Sequence, residues 1–136
     1  MRTLRANSTL TLTATVLAAV LVVANISSLN VALPELSREL GASQSDVQWM
    51  VDIYAFFLAS LLLPAGALGD KFGRRPMLLL GVTILCIANV VTLFTEHLDF
   101  IESNEARLVI AFRALSGIGA AFIFPATLST ITTTLP

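Results

Sequence analysis

The chain has 136 residues, of which 56% are hydrophobic and only 12% charged, and its net charge is −1. Ordinary soluble domains carry roughly 25% charged residues. A mean hydropathy of +0.85 therefore leaves too little charge to cover a water-soluble core, and the near-zero net charge gives no sign of a nucleic-acid partner. The single cysteine, Cys86, excludes an intramolecular disulfide, and one histidine, His97, among no arranged ligands speaks against a metal site.

A membrane-spanning helix needs about 20 mostly apolar residues. The first such stretch is Thr11–Leu33. Arg2 and Arg5 precede it, as in a secretory signal, but its apolar character runs well past the usual signal core of about 7–15 residues. Asn25, Ser27, Ser28 and Asn30 lie near its end and point several ways around a helix, so protein or water should enclose that end. Two roles stand open for them, interhelical hydrogen bonding and cavity lining. Pro34 is expected to close this helix, and Ser43 with Asp46 three residues on resembles a capping box for the next.

The second stretch, Val47–Leu68, carries Asp52 at roughly 7 Å past its start, taking 1.5 Å per residue. An acid inside a membrane helix is a functional candidate by default; an interfacial acid near the helix N-terminus is the plainer alternative. Trp49, Asp52, Phe56 and Ala59 share one face, which would offer a cation both charge and aromatic surface. The segment Gly66-Ala67-Leu68-Gly69-Asp70-Lys71-Phe72-Gly73-Arg74-Arg75-Pro76 then joins the second and third helices. Gly66 and Gly69 would let the helix end approach another backbone, and Gly73 would permit the reversal. Read from the residues alone, this is a tight turn whose basic residues anchor it in the cytoplasm.

The third stretch is Met77–Thr95, with Pro76 in its first turn, where a missing N–H is harmless. A loop from Glu96 to Glu105 should be solvated. The fourth stretch centres on Leu108–Leu128, with a helix expected over 106–131. Arg113 lies five residues past Leu108, at about the depth of Asp52, so the two are expected to face each other or a shared cavity. Snorkelling of Arg113 to the surface is the alternative, weakened by Arg107 nearby. Gly117 and Gly119 allow close helix contact, and Pro64 and Pro125 should kink their spans.

The expected fold is thus all-α: an integral membrane bundle of four transmembrane helices, at 11–33, 47–68, 77–95 and 106–131. Arg2, Arg5, Lys71, Arg74 and Arg75 mark one side of the membrane as cytoplasmic, and acidic residues gather in the other loops. Both termini are then cytoplasmic and the chain is expected in the plasma membrane.

Four segments carry a resemblance. Gly66, Leu68, Gly69, Asp70, Lys71, Gly73, Arg74 and Arg75 match the signature loop G-x-L-(G/A)-D-(R/K)-x-G-R-(R/K) of the major facilitator superfamily. Asn25-Ile26-Ser27-Ser28-Leu29-Asn30-Val31-Ala32-Leu33-Pro34 is similar to the L-D-x-T-x-V-N-V-A-L-P pattern of its fourteen-helix drug:proton antiporter branch, and the segment from Leu108 to Ala121 to the R-x-x-x-G-x-G-A-A pattern. Trp49-Met50-Val51-Asp52-Ile53-Tyr54 resembles the W-x-x-D-x-Y opening of helix two in exporters of organic cations and antiseptics.

The resemblance implies a secondary active, proton-coupled efflux transporter without enzymatic activity or cofactor. Its partners would be the lipid bilayer, protons, a small-molecule substrate such as an organic cation, and missing carboxy-terminal helices of the same transporter. The chain would be the first part of an amino-terminal six-helix half, unable to transport alone. Asp52, Arg113, Asn25 and Trp49 would serve proton and substrate, and Gly66, Gly69, Asp70, Gly73, Arg74 and Arg75 would gate conformation. Asn25 departs from the pattern's aspartate and cannot carry a proton. A self-contained four-helix protein that oligomerises, as a small exporter or a scaffold, is the rival reading.

Overall fold

The computed structural model describes the backbone of residues 2–95 and 105–134 and the side chains of 8–94 and 106–133. The expected roles of Arg2, Arg5, His97 and the Glu96–Glu105 loop lie outside the described side chains. Among the described residues four helices follow one another: α1 (Arg2–Glu39), α2 (Gln44–Phe72), α3 (Arg74–Thr95) and α4 (Glu105–Thr134). All four are long and apolar enough to cross a membrane.

The helices outrun their apolar stretches, because the backbone hydrogen-bond ladder does not stop where hydrocarbon ends. Pro34 is the clearest correction: it does not close α1, which continues five residues further to Glu39. Proline removes one N–H and strains the preceding turn. Pro34 is exposed, however, so the carbonyl it frees can find a polar partner outside the protein. Pro64 and Pro125 likewise lie within continuous helices.

Local signals set the start and end of α2. The Ser43 hydroxyl accepts from the Asp46 N–H, and the Asp46 carboxylate accepts from the Ser43 N–H at 3.0 Å, a reciprocal cap. At the other end Gly73 takes φ +97° and ψ 151°, and its N–H donates to the Gly69 carbonyl at 3.0 Å. That backbone conformation is open to glycine and very costly for other residues. One residue thus reverses the chain between α2 and α3.

Helix α4 is the hub. It lies between α2 and α3, α1 leans mainly on it, and α2 and α3 meet each other only sparsely. Of its most apolar window 39% is buried, against 11–17% in the other three helices. Its sequence explains this: apolar residues surround it, and Ala114, Ser116, Gly117, Gly119, Ala120 and Ala121 are small enough for neighbours to come close. The core joins Ala18 and Val22 of α1, Tyr54 of α2, Leu85 of α3, and Ala120 and Ile123 of α4. The outer faces are greasy; Val31, Leu63, Leu79 and Leu93 are all largely exposed. In water such exposure would be costly, whereas in lipid it is the stable arrangement.

Candidate functional site

Two glycine contacts on α4 set the helix spacing. A Cβ at Gly117 would lie 2.6 Å from the Tyr54 carbonyl oxygen, so α2 rests directly on the α4 backbone there. On the opposite side, a Cβ at Gly119 would lie 2.9 Å from the Gly81 carbonyl, and one at Gly81 would lie 2.7 Å from the Gly119 carbonyl. The expected close approach at Gly66 and Gly69 is different: their Cβ atoms would meet Pro125 at 3.8 Å and Met77 at 3.9 Å, ordinary contacts. At that end a cleft of about 340 Å³ separates α2 from α4, lined by Gly66, Gly69, Asp70, Arg74, Pro125 and Ser129 among others.

Arg113 lies one turn before Gly117 on the same face of α4, and Met50 lies one turn before Tyr54 on α2. The close contact therefore brings the arginine against α2. Its Nε donates to the Met50 carbonyl at 3.4 Å, and its Cζ sits 4.5 Å from the centre of the Tyr54 ring. Its Nη1 donates to Asn25 Oδ1 of α1 at 2.8 Å. Asn25 Nδ2 in turn donates to Asn89 Oδ1 of α3 at 2.7 Å, and Asn89 Nδ2 donates to the Leu85 carbonyl at 2.9 Å. One network thus ties all four helices. Arg113 is only 9% exposed, so this is a buried cation held by neutral oxygens and an aromatic face. It does not snorkel.

The expected meeting of Asp52 with Arg113 needs correction. Asp52 is exposed, as are Trp49 and Phe56. Asp52 follows the fully buried Met50 by two residues, about 200° around the helix, which turns it away from α4. Equal depth fixed the level of both charges but not their direction around the helix axis.

In the signature loop, Arg74 donates through Nη1 to the Ser129 carbonyl at 2.9 Å and to Thr133 Oγ1 at 3.3 Å, tying the start of α3 to the last turns of α4. A cation there also suits the negative end of the α4 dipole. Asp70, Lys71 and Arg75 are exposed, and Lys71 Nζ lies 5.3 Å from the centre of the Phe72 ring.

Three participants were missed from the sequence: Asn89, Tyr54 and Gly81. A lone amide inside the apolar run of α3 was the available signal for Asn89, and a mid-span glycine was the one for Gly81. Tyr54 stood inside a quoted motif without a role. Among the described residues no group of histidine, cysteine or acidic side chains could hold a metal ion.

The family model of the Major Facilitator Superfamily matches residues 15–136, nearly the whole chain. The chain belongs to the Major Facilitator Superfamily. Facilitator relatives are similar over most of its length. The methyl viologen resistance protein SmvA of Salmonella typhimurium is 42% identical over 125 residues, covering 92% of this chain and 24% of that protein. The methylenomycin A resistance protein of Bacillus subtilis is 35% identical over 105 residues, covering 77% and 21%. The multidrug efflux pump LfrA of Mycolicibacterium smegmatis is 35% identical over 100 residues, covering 74% and 18%. The chain thus spans about a quarter or less of the length of these relatives. No solved structure matches it. Four apolar helices and the facilitator family together make it a multi-pass membrane protein.

Proposed function

We propose that these helices form part of a proton-coupled transporter that exports drugs or organic cations, and that further helices complete its substrate site. The relatives' names, a methyl viologen resistance protein and a multidrug efflux pump among them, support the substrate class. Their greater length supports the further helices. The observation that carries the reading is the buried Arg113, fixed by neutral groups from α1 and α2 inside a membrane bundle. An arginine at the centre of a membrane helix costs roughly 2.5–3.5 kcal/mol on insertion scales, and a purely structural position would avoid even a part of that cost.

Arg113 cannot give up its proton, so its part is electrostatic. It is a fixed positive charge that attracts anionic groups and repels cations. Proton exchange then falls to a carboxylate, and Asp52 is the only one within the four apolar stretches. Its face of α2, with Trp49 and Phe56, points away from α4 and would be covered by the further helices. Substrate cation and proton would compete for that carboxylate. Asn25 holds Arg113 and carries no proton. Arg74 and Asp70 at the opposite cleft would gate the conformational change, with Gly66, Gly69, Gly73 and Arg75 shaping the turn. The basic turn at Lys71, Arg74 and Arg75 supports a plasma-membrane orientation with that turn and the amino terminus in the cytoplasm.

The test is efflux of ethidium driven by a pH gradient, in the transporter that carries this chain, with Asp52→Asn. Loss of coupling is expected; unchanged coupling would overturn the assignment of Asp52.

A further inference from the structure

The hydrogen bonds of Arg113 continue one residue beyond its partner. A guanidinium has donors only. The atom of Asn25 that faces it must therefore be the oxygen, which sends the Asn25 amino group the other way. An amino group inside a membrane bundle needs an acceptor. Asn89 Oδ1 supplies it at 2.7 Å. Asn89 is itself held in one orientation, because its amino group donates to the Leu85 carbonyl one turn earlier on α3 at 2.9 Å. Each amide dipole thus fixes the next, from an α3 backbone carbonyl through two asparagines to the cation.

We propose that Asn89 is a positioning residue for Arg113, acting through Asn25. The proposal rests on Arg113 taking part in transport, as proposed above. Asn89 makes no hydrogen bond to Arg113, and 64 residues of sequence separate it from Asn25. With Asn89 replaced by an apolar residue, the Asn25 amino group loses its acceptor inside the bundle. The Asn25 side chain then rotates to seek another, its oxygen leaves the guanidinium, and Arg113 is released from its seat over Tyr54.

The experiment compares Asn89→Leu, Asn89→Ala, Asn89→Gln, Asn25→Leu, Arg113→Leu and the double variant Asn89→Leu/Asn25→Leu in the transporter that carries this chain. It reads ethidium efflux against substrate concentration and pH, with protein amount and melting temperature in detergent recorded alongside. Expected for Asn89→Leu is a fall of about tenfold in maximal rate with KM within about twofold, and a displaced pH profile. Asn89→Gln, which keeps both amide atoms, should recover most of the rate. The double variant should be no worse than the poorer single one, as residues acting in one unit are not additive. Asn89→Ala stands in for Asn89→Leu if the latter fails to accumulate.

A wild-type rate and pH profile in both Asn89→Leu and Asn89→Ala, alongside an inactive Arg113→Leu, would overturn the positioning role and leave the role of Arg113 intact. Additive losses in the double variant, or a melting temperature that falls with no change in pH profile, would overturn it as well. Wild-type efflux in Arg113→Leu would instead overturn the reading on which the proposal rests.

Discussion

Gly117 of α4 lies against the carbonyl of Tyr54 so closely that a Cβ would come within 2.6 Å of the oxygen. The obstacle is backbone, which cannot swing aside like the tip of a side chain. The same contact sets how far Arg113 must reach to meet Met50.

Gly117→Ala should therefore push α2 from α4. Overpacking of this kind costs about 1–3 kcal/mol. Melting of the purified protein in detergent should show the loss, and Gly66→Ala serves as the control. A Cβ at Gly66 meets only Pro125 at 3.8 Å, so that variant should melt within about 0.5 kcal/mol of the wild type in stability. Equal melting of the two would contradict the close contact.

Tyr54 contributes its ring to Arg113, while its hydroxyl is buried and is the one such side-chain atom without a hydrogen-bond partner among the described residues. Tyr54→Phe keeps the ring and removes the stranded group. Stability should hold or rise, by up to about 1–2 kcal/mol, since an unpaired buried polar group is a net cost. Tyr54→Leu removes the aromatic face and should cost about 1–2 kcal/mol. Denaturation of the two variants side by side checks the order.

For Arg113 the insertion cost can be read directly. With the α4 segment alone presented to the membrane-insertion machinery, Arg113→Leu should favour insertion by up to about 3–4 kcal/mol, the gap between the two residues at a helix centre, which lies deeper than Arg113. A difference near zero would mean that the arginine escapes to the interface in the isolated helix.

Gly73 holds φ +97° at the turn between α2 and α3. Any side chain there is strained, and Gly73→Ala should cost about 1–3 kcal/mol. Open space is not the issue: the nearest atom to an added Cβ is Pro76 Cδ at 3.7 Å. Thermal melting should fall although no clash is introduced.

These residues also mark what the sequence could disclose. Local chemistry was legible: long apolar runs announced the helices, Ser43 with Asp46 announced a cap, and Gly73 announced a reversal. Each depends on neighbours within a few positions. Pro34 misled because a proline weakens a helix without obliging it to stop, and here the chain continues to Glu39. Asp52 and Arg113 misled differently. Residue counting gives depth along an axis, while facing depends on rotation, and two residues separate Asp52 from the buried side at Met50. Asn89 was silent because its meaning comes from Asn25 on another helix. Gly81 belongs with it, being informative only once Gly119 is placed opposite.

The near-touching glycines also give α4 the mechanics of a balance arm. Arg113 lies six residues to one side of Gly119 and Ser129 ten to the other, arms of about 9 Å and 15 Å at 1.5 Å per residue. If α4 rocks on Gly81, a shift at the Arg113 end reappears reversed and about 1.7 times larger where Arg74 grips Ser129. A small event at the buried cation would then be felt, magnified, at the far mouth of the bundle.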